Sequence, residues 1–340
     1  MKSWKCLTAL ALGAATALGS GVVPASADKA HPVIGMTVYF MSSWVAWGQQ
    51  GADAVAKANN VDLRWVSANQ DVNTQISQIQ QFINQKVDAI IIAAVNSSTL
   101  GPQIEAAKAA GIPVIATNMV IFGKEANDLV SYVGPDDVAA GETEAKYAID
   151  AIGGKGGIVA MQGALGYSAE IDRTQGIKNM LAKHPEVKLL AMQPGNWDRP
   201  QSYNLMQDWL SRYGSDVKAL VAENDDMAIG AGQALKDKGV SIAVTAIDGI
   251  KDGLRAVKNG TMTETNLQDA AIELGMAVQV AVDHLQGKEV PQKALLKMLE
   301  VTPANVDHYY DQLYVHPDDF IKGLPDLVRK NLASGDYSFQ

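Results

Sequence analysis

The chain reads as an α/β protein of two lobes, each carrying a mainly parallel sheet. Three observations predict this. From residue 33 onward short β-rich runs alternate with longer helical stretches, the βα repetition that parallel sheets require. Some of the runs are apolar throughout, as strands are when helices cover both sheet faces; Ala89-Ile90-Ile91-Ile92-Ala93 is the plainest. The alternation then restarts after Gly134-Pro135-Asp136-Asp137, so the pattern occurs twice.

In the first series, Val33-Ile34-Gly35-Met36-Thr37-Val38 reads as a strand and residues 47–59 as an alanine-rich helix ending at Asn59-Asn60. Residues 61–66 alternate polar and apolar as a second strand should. Ile76, Ile79, Gln80 and Ile83 share one face of a helix over 72–85. Residues 104–110 form a helix closed by Gly111, and 112–116 form the fourth strand. The second series predicts helices over 138–152, 173–183 and 200–213, with strands over 158–161 and 188–192. Residues 217–222 and 244–248 supply two more strands, each ending in polar residues. Beyond Pro303 the pattern weakens.

The first residues read separately. Met1-Lys2-Ser3-Trp4-Lys5 is basic, residues 7–23 are apolar and small, and Pro24-Ala25-Ser26-Ala27 ends the run. This is the layout of a secretory signal peptide, 1–27, cut after Ala27, and it predicts a periplasmic protein. Cys6 is the single cysteine and lies within that segment. The mature chain therefore makes no disulfide, thiolate or cysteine–metal site. Removing Lys2 and Lys5 leaves 26 basic against 37 acidic residues, which gives no electrostatic case for binding nucleic acid.

The search for catalytic machinery comes back empty. Gly153-Gly154-Lys155-Gly156-Gly157 precedes a strand and lacks the Lys-Ser/Thr end of a P-loop, so it is a turn. Gly166-Tyr167-Ser168-Ala169-Glu170 is not a nucleophile elbow. His31, His184, His284, His308 and His316 are scattered without metal-ligand spacing. No catalytic residue, metal site or cofactor is expected.

What remains is a set of polar and aromatic residues, each just past a strand end, where open α/β sheets bind ligands. They are Ser42 and Trp44, Asn118 and Met119, Glu170 and Arg173, Trp197, Asn224, Asp248, and Gln268. Each has a plain alternative: Asn224 as a helix cap, Arg173 as a surface ion pair, the tryptophans as core. Together they fit a small polyhydroxylated ligand. Planar amide, carboxylate and guanidinium groups pair with hydroxyls, and Trp44 and Trp197 suit the C–H faces of a sugar, one on each side.

With the signal peptide and the two βα series, Glu223-Asn224-Asp225-Asp226-Met227-Ala228, Ala246-Ile247-Asp248-Gly249 and Asn266-Leu267-Gln268 resemble the ribose-binding-protein type of periplasmic solute-binding protein. The resemblance runs from about residue 33 to about 307. It implies two Rossmann-like lobes joined by a three-crossover hinge, 28–134 plus 269–297 and 135–268 plus 298–340. It implies a monomer that closes on a monosaccharide, deoxy sugar or small sugar alcohol and delivers it to the permease subunits of an ABC importer, without being an enzyme. By position it implies ligand contacts from Trp44, Arg173, Trp197, Asn224, Asp248 and Gln268. Two positions depart from the pattern. Ser42 stands where the ribose type has asparagine, and Asn118-Met119 stands where it has an acidic residue followed by arginine. That makes one wall less polar and more adaptable, which suits a polyol or deoxy sugar better than ribose. A quaternary amine in an aromatic cage, a sugar-like signalling molecule, and an exported α/β enzyme are the alternatives.

Overall fold

The computed structural model describes Met1 and residues 31–337, so the signal-peptide reading of residues 1–27 lies outside the described residues. The first series is β1 (Val33–Val38), α1 (Ser43–Ala58), β2 (Asp62–Ser67), α2 (Val72–Asn84), β3 (Ala89–Ile92), α3 (Gly101–Ala109), β4 (Val114–Thr117) and β5 (Ser131–Pro135). The second runs α4 (Asp137–Ala151), β6 (Gly156–Gln162), α5 (Ser168–Lys183), β7 (Val187–Pro194), α6 (Arg199–Tyr213), β8 (Val217–Ala222), α7 (Asp225–Asp237), β9 (Ala243–Asp248), α8 (Lys251–Lys258) and β10 (Glu264–Leu267). Then follow α9 (Ala270–Leu285), β11 (Lys293–Leu296), β12 (Leu299–Val301), α10 (Val306–Tyr310) and α11 (Pro317–Ser334).

Two sheets result, ordered β11-β5-β4-β3-β1-β2 and β12-β10-β9-β8-β6-β7. Every pairing is parallel except β10 with β12. In each sheet the order reverses beside the first strand of its series, between β1 and β3 and between β6 and β8, which opens a crevice beyond the strand ends. The chain passes between the sheets three times: from β5 into α4, which packs on β8, β9 and β10; from β10 into α9, which packs on β3, β4 and β5; and from β11 to β12.

Close helix crossings set the layers. α9 is apolar nearly all round and buried along most of its length, as a helix enclosed by a sheet and two other helices must be. It meets α1 at Gly51, where an added Cβ would lie 2.2 Å from the Ala271 carbonyl oxygen. α4 and α5 cross just as tightly at Gly141, whose Cβ would lie 2.2 Å from the Arg173 carbonyl.

The helix expected over 47–59 begins earlier, at Ser43, because the Ser42 hydroxyl accepts from the Val45 amide at 3.1 Å and caps it. The tail 298–340, expected with the second lobe, divides. β12 pairs with β10 and α10 packs on α8, but α11 packs on α1 and α9 of the first lobe. Its amphipathic face buries Phe320, Leu324 and Val328 there, and Phe320 stacks on Trp47 of α1 with centroids 6.0 Å apart. No helix among the described residues is long and apolar enough to cross a membrane.

Candidate functional site

The nine residues Ser42, Trp44, Asn118, Met119, Arg173, Trp197, Asn224, Asp248 and Gln268 line one cavity between the lobes, together with Tyr39, Phe40 and Ala169. The side chains leave a narrow space of about 30 Å³ between them, on the order of what one or two waters occupy. The lobes meet around it. Val120 N–H donates to the Ser168 hydroxyl at 2.7 Å, Ser168 N–H to the Ser97 hydroxyl at 3.0 Å, and Ser97 N–H to the Gly166 carbonyl at 3.2 Å.

Arg173 organises the second-lobe wall. The Gly141 crossing brings the first turn of α4 against α5, so Arg173 Nε donates to Asp137 at 2.8 Å with both side chains buried. Nη1 donates to the Glu223 carbonyl, and Nη2 donates to Gln268 Oε1 at 2.9 Å. Gln268 in turn donates to Glu273 at 2.8 Å. Arg173 does form an ion pair, its plain alternative, but the pair is internal and not on the surface. Burial raises the Asp137 carboxyl and the arginine opposes it.

Asn224 takes the capping role given as its plain alternative: its Oδ1 caps α7 by accepting from the Met227 amide at 3.0 Å. Its side chain also hydrogen-bonds Asp248. Asp248 is pushed well above the ordinary carboxylate range by burial, against the nearby Arg173. The backbone is unusual at three of the nine positions: φ is +61° at Asn118, +60° at Trp197 and +128° at Asp248. Non-glycine residues avoid this region, and such strain costs on the order of 1–3 kcal/mol and gathers at functional sites.

The aromatic residues are fixed from behind. Trp44 Nε1 donates to the Gln268 carbonyl at 2.8 Å, which ties the first lobe to the crossover. The Trp197 indole lies on Gly163, where a Cβ would come within 1.7 Å of the ring, and Tyr167 meets it edge-on at 6.3 Å. Two buried polar atoms on the lining, Trp197 Nε1 and Asn118 Oδ1, have no hydrogen-bond partner in the protein. Such atoms cost about 1–3 kcal/mol when left unmade. One is a donor on the second lobe and the other an acceptor on the first.

Glu170 does not join the lining; it is buried and accepts from Gln162 at 2.9 Å. Tyr39 and Phe40 went unread although they directly follow β1, and their position past a strand end was the available signal. Ala169 carries no sequence signal. Glu273 and Asp137 support the wall from the second rank, and burial raises Glu273 to about 8. The lining holds no histidine or cysteine. Among the described residues no cluster of three or more histidine, cysteine or acidic side chains is placed to hold a metal.

Comparison with known proteins agrees with the two-lobe fold. The periplasmic binding protein domain family matches residues 34–289. The xylitol-binding protein of Mycolicibacterium smegmatis is 44% identical over 326 residues, 96% of this chain and 92% of that protein. The ribose import binding protein RbsB of Bacillus subtilis is 28% identical, over 81% of this chain and 88% of its own. Among solved structures, an ABC transporter solute binding protein from Bacillus halodurans C-125 with bound myo-inositol superposes with a TM-score of 0.78. It is 29% identical and covers 82% of this chain and 97% of its own.

Proposed function

This chain belongs to the periplasmic binding protein family, ribose-binding type, and on that premise we propose that it captures a small neutral polyol for an ABC importer. The family places it outside the cytoplasm; our reading puts it in the periplasm as a monomer that presents its closed form to the permease. The ligand class is an open-chain sugar alcohol of the xylitol kind, with deoxy or modified monosaccharides next.

One observation carries the reading. Residues from both lobes converge on one cavity whose unpaired donor and acceptor, Trp197 Nε1 and Asn118 Oδ1, sit on opposite lobes. A polyhydroxylated molecule satisfies both at once, because each hydroxyl donates and accepts. Met119 supports a less polar partner than ribose on the first-lobe wall. Arg173, Asp248 and Gln268 are the hydroxyl-binding groups of the opposite wall, and Trp44 and Trp197 cover the carbon skeleton.

In this account the lobes hinge at the three inter-sheet crossings, and the ligand favours closure because it contacts both lobes only in the closed form. A quaternary amine is disfavoured by the buried guanidinium beside the cavity, and an enzyme by the relatives compared above, which are solute-binding proteins. The test is binding without turnover. Ligand-free protein titrated with xylitol is expected to give saturable one-site heat and to return xylitol unchanged, and a chemically altered product would overturn the reading.

A further inference from the structure

Tyr314 lies outside the cavity, in the turn Asp311–Val315 that joins α10 to α11. Its hydroxyl donates to the Gly249 carbonyl at 2.9 Å, and its ring packs against Trp47 with centroids 5.6 Å apart. Gly249 follows Asp248 on the second lobe. Trp47 is on first-lobe α1, three residues after Trp44, and donates through Nε1 to Asp269 at 3.1 Å. Asp269 caps α9 and adjoins Gln268. One side chain thus touches the rear of both cavity walls and reaches the crossover through Trp47.

The peptide that Tyr314 holds is under strain. Asp248 has φ of +128° and Gly249 of +70°, a conformation that persists only when the surroundings fix it. On one side Asp225 accepts from the Ile250 amide at 2.9 Å and from the Gly249 amide. On the other side Tyr314 takes the Gly249 carbonyl. The segment carrying Tyr314 is anchored on both lobes: Lys258 pairs with Asp307 at 2.5 Å, and Phe320 stacks on Trp47. A helix that merely covered the first lobe would not need a hydroxyl reaching the strained turn of the second.

We propose that Tyr314 is a positioning residue for Asp248, so that the C-terminal segment 306–334 forms part of the ligand-binding apparatus by fixing the Asp248–Gly249 turn and joining the lobes behind the cavity. The proposal rests on the polyol reading of that cavity, and its tests separate the two. Tyr314→Phe keeps the ring on Trp47 and removes only the donated hydrogen bond. In ligand-free protein, the Gly249 and Ile250 amides are expected to exchange with solvent at least severalfold faster in this variant. Parent-like exchange there would overturn the proposal whatever the ligand. In stopped-flow binding of xylitol, dissociation is expected to be about fivefold faster, the scale of one net hydrogen bond, with association and the ligand-free unfolding midpoint near parent values. A structural control, Ile79→Ala in the first-lobe core on α2, should lower the midpoint and leave dissociation unchanged. Parent binding of xylitol with an unchanged dissociation rate in Tyr314→Phe would sink this inference alone. Failure of the parent protein to bind xylitol, ribose or myo-inositol would sink the cavity reading and this inference with it.

Discussion

Arg173 donates through Nη2 to Gln268 Oε1 at 2.9 Å, joining the second-lobe wall of the cavity to the crossover between β10 and α9. The same guanidinium holds Asp137 and the Glu223 carbonyl, so one planar group positions three elements. Gln268 is held at its other end by Glu273, and its carbonyl accepts from Trp44. Both cavity walls therefore depend on the geometry at Gln268.

Substituting the arginine is expected to act on stability and binding together. Arg173→Ala leaves Asp137 buried without its cation, and breaking such a pair costs about 3–5 kcal/mol. Arg173→Lys keeps the charge but lacks the planar fork that reaches all three acceptors. Urea denaturation should rank parent above lysine above alanine, and calorimetry should show at least tenfold weaker xylitol binding in the lysine variant. A lysine variant that binds like the parent would show that the fork does not shape the wall.

Asp248→Asn preserves shape and removes the carboxylate from the cavity. If the carboxylate accepts from a ligand hydroxyl, the loss is about 1–3 kcal/mol, or roughly 5- to 150-fold in the dissociation constant. Titration of the purified variant reads this directly, with the unfolding midpoint as the control for folding.

Gly163→Ala tests the tryptophan through its support. The added Cβ would sit 1.7 Å from the Trp197 ring, so the indole has to move, while Gly163 itself is absent from the lining. The expected outcome is weaker binding and an altered ligand-induced change in tryptophan fluorescence, with far-ultraviolet circular dichroism unchanged.

The buried acids predict a pH dependence. Burial raises both Glu223 and Glu273 to about 8, so the folded state retains protons that the unfolded chain releases above about 4.3. Their stabilisation is fully present below the unfolded value and is lost as pH rises through about 8. Each contributes a slope of at most ~1.4 kcal/mol per pH unit within that window. Unfolding free energies measured from pH 5 to pH 8 should therefore fall, and Glu223→Gln, which has no proton to release, should flatten the trend. A rising curve in the parent would contradict the assignment.

The two-lobe plan and the lining were legible because each depends on local sequence. Buried strands such as Ala89–Ile92 are continuous apolar runs, and the nine expected residues were read from strand ends, which the fold gathers on one cavity. β5 went unread because Ser131–Pro135 carries Gly134 and Pro135, which signal a turn rather than a strand. β11 and β12 are short edge strands with little pattern of their own. The place of α11 is set by long-range packing on Trp47, which no local period encodes. The internal character of the Arg173–Asp137 pair follows from the helix crossing at Gly141, and a glycine in a helical run does not reveal its neighbour.

Calorimetric titration of ligand-free protein with xylitol, alongside ribose and myo-inositol, tests the central claim most directly. The account predicts saturable one-site binding that is tightest for the open-chain polyol. Absence of saturable heat with all three would contradict it.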